Sequence, residues 1–266
     1  NTVAWLAYYK DSLGHTKYIY PKENFEQDYE KFEMARKLKR KLPKLRKINE
    51  EYITSSLSKK QQLGCAFWFI DKLSLRVGNE KDSVDVADTY GVCTLLCSHI
   101  KIKNNTITVN FIGKDSIICN KTTVANNNVM SAMKNCLHKK QLSQQLFDQI
   151  DSTKFNRYLN KFLDGLTAKV FRTCNASRKL CSLLNNIESD IDSLKHFNNS
   201  CKKVAILCNH KTNNSFSTST SKQNYIDPRI IFSYSKRQNI NIEKLLSNSL
   251  INKYNWANSV DSNFIF

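Results

Sequence analysis

Lys59-Lys-Gln-Gln-Leu-Gly-Cys-Ala-Phe-Trp-Phe-Ile-Asp-Lys-Leu-Ser-Leu75 sits near the first third of the chain and is rich in apolar side chains. Phe67, Trp68, Phe69 and Leu73 make it a predicted buried helix. It runs into Leu75-Arg76-Val77-Gly78-Asn79, where Gly78 can take the left-handed conformation that ends a helix. On that reading Arg76 lies in the last turn, on a rigid element. Upstream, residues 24 to 56 are dense in helix formers, and their middle is almost wholly basic: Ala35-Arg-Lys-Leu-Lys-Arg-Lys-Leu-Pro-Lys-Leu-Arg-Lys47. Leu38, Leu42 and Leu45 recur at helical spacing, so Lys39, Arg40 and Lys44 belong to the remaining faces, open to a phosphate backbone. Pro43 is expected to kink or divide this helix.

Downstream the period changes. Thr106-Ile-Thr-Val-Asn-Phe-Ile112 is β-branched and alternating, Gly113-Lys114-Asp115 supplies turn residues, and Ser116-Ile-Ile-Cys119 resumes the extended pattern. A hairpin with Lys114 near its tip is predicted. Helical patterns follow around 142–150, 154–163, 167–184, 190–210, 226–238 and 242–256. The polar stretch Thr212-Asn-Asn-Ser-Phe-Ser-Thr-Ser-Thr-Ser221 interrupts them and reads as a flexible loop.

Composition agrees with a mainly α fold carrying one small β-hairpin or sheet element. The 266 residues include only 6 Gly and 3 Pro, too few for a sandwich or propeller full of tight turns. At 41% hydrophobic the chain is too apolar for a disordered tail. Lys and Arg number 41 against 23 Asp and Glu, a formal net charge of +18 that calls for a polyanionic partner. Apolar runs such as Cys65–Ile70 fall far short of the ~20 residues that span a bilayer. No signal-peptide core is seen in the first twenty residues. The nine cysteines include no CxxC, and Cys93 and Cys97 lack zinc-finger partners, so they read as reduced core residues of an intracellular protein. No glycine pattern for a nucleotide is present, and no cofactor or metal is expected.

A metal-free site for phosphoryl transfer needs a nucleophile, a proton donor and fixed cations around the phosphate oxygens. Arg76, Lys114, Arg172, His210 and Tyr225 offer these groups. Taken singly, each also has an ordinary structural use: a helix-end cation, a solvated turn, a capping His, a surface Tyr.

Together their segments resemble the catalytic region of eukaryotic type IB DNA topoisomerases. The resemblance is carried by Phe69-Ile-Asp-Lys-Leu-Ser-Leu-Arg-Val-Gly-Asn-Glu-Lys81, Ala87-Asp-Thr89, Phe111-Ile-Gly-Lys-Asp-Ser-Ile117 and Gly165-Leu-Thr-Ala-Lys-Val-Phe-Arg-Thr-Cys-Asn-Ala-Ser177. It continues through Val204-Ala-Ile-Leu-Cys-Asn-His210 and Ser221-Lys-Gln-Asn-Tyr-Ile-Asp-Pro-Arg229, in the family's order. Trp5-Leu6 and Lys17-Tyr-Ile19 look like that family's entry into its catalytic subdomain. The resemblance implies a tyrosine recombinase/type IB topoisomerase catalytic domain. It makes Tyr225 the nucleophile that becomes linked to a 3′ phosphate, and Arg76 and Arg172 the ligands of the nonbridging oxygens. His210 would give a further hydrogen bond, and Lys114 would protonate the leaving 5′ hydroxyl. Asp115 and Asn224 correspond to family positions near the cleavage site linked to camptothecin sensitivity.

The resemblance further implies relaxation of supercoiled duplex DNA without ATP or metal, a monomer, no membrane partner, and a nuclear location, for which Arg36–Lys47 is a candidate import signal. It divides the chain into a catalytic core subdomain (1–210), a short linker loop (211–221) and a C-terminal segment with the tyrosine (222–266). The family's cap region, an expected intramolecular partner, lies outside this sequence, and its long linker is reduced to Lys211–Asn224. Cys174 stands where the family has a tyrosine, and Ile118 where it has an arginine. Two other readings share these residues: a tyrosine recombinase, and a basic module that holds DNA without cutting it.

Overall fold

The computed structural model describes residues 7–10, 16–19, 25–78, 89–186, 192–211 and 215–266. Trp5, Leu6, Asn79–Lys81, Ala87 and Asp88 of the quoted segments, Thr212–Asn214 of the polar loop and the start of the helix read at 190–210 lie outside them.

Helix α1 (Phe25–Ile53) buries Phe32, Ala35, Leu38, Leu42, Leu45 and Ile53 along one stripe. Pro43 does not divide it. Proline inside a helix costs about 3 kcal/mol. Here the ring lies on the exposed side, and buried residues anchor the helix on both flanks. Helix α2 (Ser58–Leu73) packs against α1 and is buried on almost every face from Gln62 to Asp71. Phe67 meets Phe171 edge-to-face at 5.3 Å. This helix stops earlier than its sequence suggests. Ser74 caps it in the left-handed conformation (φ 53°), its N–H closing on Ile70 O at 3.1 Å, while Gly78, also left-handed (φ 78°), lies four residues further on. Arg76 therefore lies beyond the helix, in an extended segment.

That segment is held by a second chain. Val92 N–H bonds Arg76 O at 2.9 Å, and Cys93 N–H bonds Val77 O at 2.7 Å. A Cβ on Gly91 would lie 2.4 Å from the backbone of Gly78, so the two strands approach as closely as glycine alone permits. Arg76 is fixed by backbone pairing instead of by a helix.

The predicted hairpin is present and larger than expected. β3 (Ile100–Lys103), β4 (Thr106–Ile112) and β5 (Ile118–Val124) form an antiparallel sheet in which Ile107, Val109 and Phe111 face the core. A separate ribbon pairs β1 (Ala7–Lys10) with β2 (Thr16–Ile19). Helix α3 (Asn127–Leu137) went unread in the sequence, though Asn126 caps it by accepting from Val129 N–H. Residues 142–150 form turns instead of a helix. Their apolar residues Leu146, Phe147 and Ile150 are buried, and Leu146 N–H bonds Leu95 O at 2.7 Å.

Helices α4 (Ser152–Asn160), α5 (Ala168–Asn185) and α6 (Ser193–Leu207) fall where their patterns place them, with α5 between α1 and α6. The polar loop is partly helical: α7 (Thr218–Asn224) starts at Ser217, whose side chain accepts from Thr220 N–H. Helix α8 (Pro228–Arg237) follows, and residues 242–256 break into 3-10 turns around the short α9 (Asn248–Lys253). All nine cysteines are buried and free.

Candidate active site

Four of the five expected residues line one cavity of about 190 Å³: Arg76, Lys114, Arg172 and His210. The fifth, Tyr225, packs behind two of them. Its ring stacks on His210 with centroids 5.1 Å apart, and the Arg172 guanidinium carbon lies 4.8 Å from the ring centre. Lys121 and Lys211 also line the cavity, and among the described residues Asp115 is its one acidic wall residue. A concavity of that charge concentrates anions.

Each residue reaches the cavity by a different device. Arg172 is set on α5, buried to 4% exposure. Its Nη1 donates to Ser74 O at 2.6 Å and its Nη2 to Cys208 O at 2.8 Å, with His210 Nε2 at 3.4 Å. Its Nε is buried without any acceptor. Buried donors are rarely left unmade, and each costs about 1–3 kcal/mol, so this N–H suits an anionic acceptor that the protein itself does not supply. Ser74 is itself steadied by Asn175, whose side-chain amide donates to Ser74 Oγ at 3.0 Å and to Asp71 O at 2.9 Å.

His210 owes its place to the end of α6. Asn209 takes the left-handed conformation (φ 53°), Asn209 N–H bonds Ile206 O and His210 N–H bonds Ala205 O, both at 3.0 Å. This pair of bonds is the Schellman closure of a helix C-terminus. His210 Nδ1 lies 2.8 Å from Ser221 Oγ, and its backbone carbonyl accepts from Ser217 N–H at 2.7 Å. Burial, followed by the charges of Arg172, Arg76 and Lys121, pushes the imidazole down to about 4. It is neutral at pH 7.

That depression has a consequence for stability. Between the ordinary His value near 6.5 and about 4, the unfolded chain takes up a proton that the folded site refuses. Stability therefore falls on acidification through this window, by on the order of 1–2 kcal/mol after screening. Thermal melts between pH 7 and pH 4.5 are expected to drop more steeply for the natural protein than for His210→Gln. Parallel curves would show that the imidazole does not titrate in this way.

Tyr225 closes α7 as the residue after its last turn, buried to 8% exposure. Burial pushes its hydroxyl up, but the charges of Arg172 and Arg76 and a hydrogen bond from Arg172 outweigh it, leaving the phenol below its ordinary value. The following residues anchor it. Ser177 Oγ donates to Tyr225 O at 3.1 Å and accepts from Asp227 N–H at 2.9 Å. Asp227 caps α8 and pairs with Arg229 at 2.6 Å, and Arg229 reaches Glu33 of α1 at 2.6 Å.

Lys114 and Asp115 stand exposed at the hairpin tip, with Asp115 in the left-handed region (φ 62°). Asn224 adjoins the tyrosine, but its amide donates to Thr220 O at 3.0 Å, a local turn bond. On α1, Arg40 and Lys44 are exposed, whereas Lys39 donates to the Phe266 carbonyl and Arg46 pairs with Asp71 at 2.8 Å. Of the three basic residues singled out on this helix, Lys39 is already engaged within the fold.

Sequence reasoning missed Lys121, Ser74 and Ser221. The available signal for Lys121 is the alternation of β5, which sets it on the same face as buried Cys119. Ser74 and Ser221 act through a carbonyl and a hydroxyl that their residue type does not announce.

The profile of the family described as eukaryotic DNA topoisomerase I, catalytic core, matches residues 20–243. DNA topoisomerase 1 of Caenorhabditis elegans is 30% identical over 357 aligned positions that cover all of this chain and 44% of that protein. The mitochondrial DNA topoisomerase I of Rattus norvegicus is 36% identical over 79% of this chain and 38% of its own length. DNA topoisomerase 1 of Homo sapiens is 35% identical over 79% of this chain and 30% of its own. The chain thus spans less than half the length of these relatives. Among the described residues no helix is long and apolar enough to cross a membrane.

Proposed function

The chain belongs to the eukaryotic DNA topoisomerase I family, and on that premise we propose that it carries the strand-cleaving centre of a type IB enzyme, which breaks one strand of duplex DNA through Tyr225, lets it rotate and reseals it. The observation that supports this most is the stack itself. A tyrosine lies under a guanidinium and against an imidazole, its phenol lowered despite burial, beside a cavity whose arginine holds an unanswered buried N–H.

The chemistry follows from these groups. Tyr225 gives up its proton to water, as the charges of Arg172 and Arg76 favour, and its oxygen attacks a backbone phosphorus as the bond to the 5′ oxygen breaks. Arg76 and Arg172 hold the nonbridging oxygens, where charge accumulates. Lys114, on its exposed turn, protonates the departing 5′ oxygen. The phosphotyrosine keeps the energy of the broken phosphodiester, so religation is the reverse step and needs no ATP. For His210 to donate from Nε2 to the same phosphate, its Nδ1 must accept, which makes Ser221 Oγ the donor in the 2.8 Å pair.

Binding would be made through phosphates, with Arg40 and Lys44 adding contacts along α1, and would weaken with salt. We assign residues 1–210 to the catalytic core subdomain, 211–221 to a short connection and 222–266 to the segment that supplies the nucleophile. A cap region outside residues 1–266 would complete a clamp around DNA. The protein would act as a monomer in the nucleus.

The test uses negatively supercoiled plasmid with no chosen target sequence, without ATP. Relaxation in single-strand steps is expected, together with a covalent adduct on a nicked suicide duplex. Relaxation that required a specific site would favour a recombinase. Binding without an adduct, even with the cap region of a relative supplied in trans, would leave only a DNA-holding module.

A further inference from the structure

Arg172 does not bridge the two chain segments at its back alone. Lys121, on β5, donates to Leu73 O at 2.6 Å and to Leu207 O at 2.5 Å. Leu73 is the last residue of α2 and Leu207 the last of α6. Arg172 takes the very next carbonyl on each: Ser74 O and Cys208 O. Two cations thus form parallel rungs between the same two helix C-termini. Those termini carry orphan carbonyls and the negative ends of two helix dipoles, which suits cationic donors.

We propose that Lys121 is a positioning residue of the phosphate pocket: its rung fixes the spacing of the α2 and α6 ends, so that Arg172 spends only its terminal nitrogens on Ser74 O and Cys208 O and keeps Nε for the phosphate. The assignment rests on the reading of the cavity as the cleavage site. Without the lower rung, the two ends are joined by Arg172 alone, and a guanidinium that must bridge whatever gap remains cannot also hold one orientation. A displacement of about 1 Å in such a group is worth about 100-fold in rate.

The ammonium is also poised to lose its proton. Burial, followed by the charge of Arg172, lowers it to about 8 against the opposing influence of Cys119 and Cys208. The groups that face it differ in when they titrate. Cys119 on its own strand and Cys208 at the end of α6 are pushed up by burial, and His210 is pushed down to about 4 beside the charges of Arg172 and Arg76. The Tyr225 phenol is held below its ordinary value, and it acts in the opposite direction, since losing its proton favours attack.

The experiment follows the Arg172 Nε–H resonance by NMR and single-turnover cleavage of a suicide duplex in the natural chain, Lys121→Met and Lys121→Arg. Lys121→Met is expected to move the Arg172 Nε resonance and slow cleavage about 100-fold with duplex affinity within about 3-fold, and Lys121→Arg to restore most of both. In a Tyr225→Phe background, the same resonance should step once near pH 8, and the step should vanish in the Lys121→Arg, Tyr225→Phe double variant. That titration needs no neutral variant, so it decides the matter even if Lys121→Met does not fold. An unmoved Nε resonance with slowed cleavage would mean that Lys121 touches the phosphate itself and would overturn the positioning role, as would natural rates in Lys121→Met. If the natural chain makes no adduct at all, the reading of the cavity falls, while the resonance still reports on the rung.

Discussion

Tyr225→Phe is expected to abolish the covalent adduct with duplex DNA, a loss of at least about 10⁴-fold, while leaving duplex binding and the fold in place. The separation is expected because the ring and the hydroxyl do different things. The ring stacks on His210 and lies below Arg172, contacts that phenylalanine keeps. The backbone on either side is tied through Ser177 and Asp227, which the substitution does not touch. Only the nucleophilic oxygen is removed. Denaturing gels of a suicide duplex, run beside a binding titration, check both halves. An adduct in the phenylalanine variant would move the nucleophile elsewhere and sink the assignment of Tyr225.

The second large effect concerns Arg172. Replacement by Ala is expected to slow cleavage about 10³-fold or more, the scale on which a fixed cation at a transferring phosphate acts. Arg172→Lys should recover little. A single ammonium cannot reach Ser74 O and Cys208 O together and still offer a second, parallel donor to phosphate. The alanine variant should also lose about 2 kcal/mol of stability, because both carbonyls would be left buried and unpaired. Measuring rate and melting temperature together separates the two losses. If Arg172→Lys cleaves like the natural protein, the guanidinium fork is not what the reaction uses.

How much of this could be read beforehand depends on where each signal resides. The stripe of Leu38, Leu42 and Leu45 and the apolar run through Phe67–Phe69 fix helices because burial and period say the same thing. Arg76, Lys114, Arg172, His210 and Tyr225 stand in long segments whose order is itself informative. The structure brings the first four to one cavity and the fifth against Arg172 and His210.

Where local and tertiary preferences disagreed, the reading failed. Gly78 is the better residue for a left-handed cap, yet Ser74 takes that place, because Asn175 and Arg172 bind its hydroxyl and carbonyl. The Ser- and Thr-rich stretch before Tyr225 has the composition of a loop. It folds as α7 because Ser217 caps it and Ser221 is drawn fully inside against His210. Lys121 is one of 41 basic residues in the chain, and no property of a lysine in sequence marks the one that will be asked to join two helix ends.

The depth at which Tyr225 lies bears on what would happen after a strand is cut. Tyr225, Arg172 and His210 are 8%, 4% and 5% exposed. An ester formed on that oxygen would be screened from bulk water by the same groups that helped to form it. Hydrolysis, which would release the enzyme and leave a permanent nick, would then compete poorly with the strand's own 5′ hydroxyl, held nearby by base pairing. On the proposed reading, the tight packing of Tyr225 would act as a safeguard: a break would stay open only as long as the strand needed to find its end again.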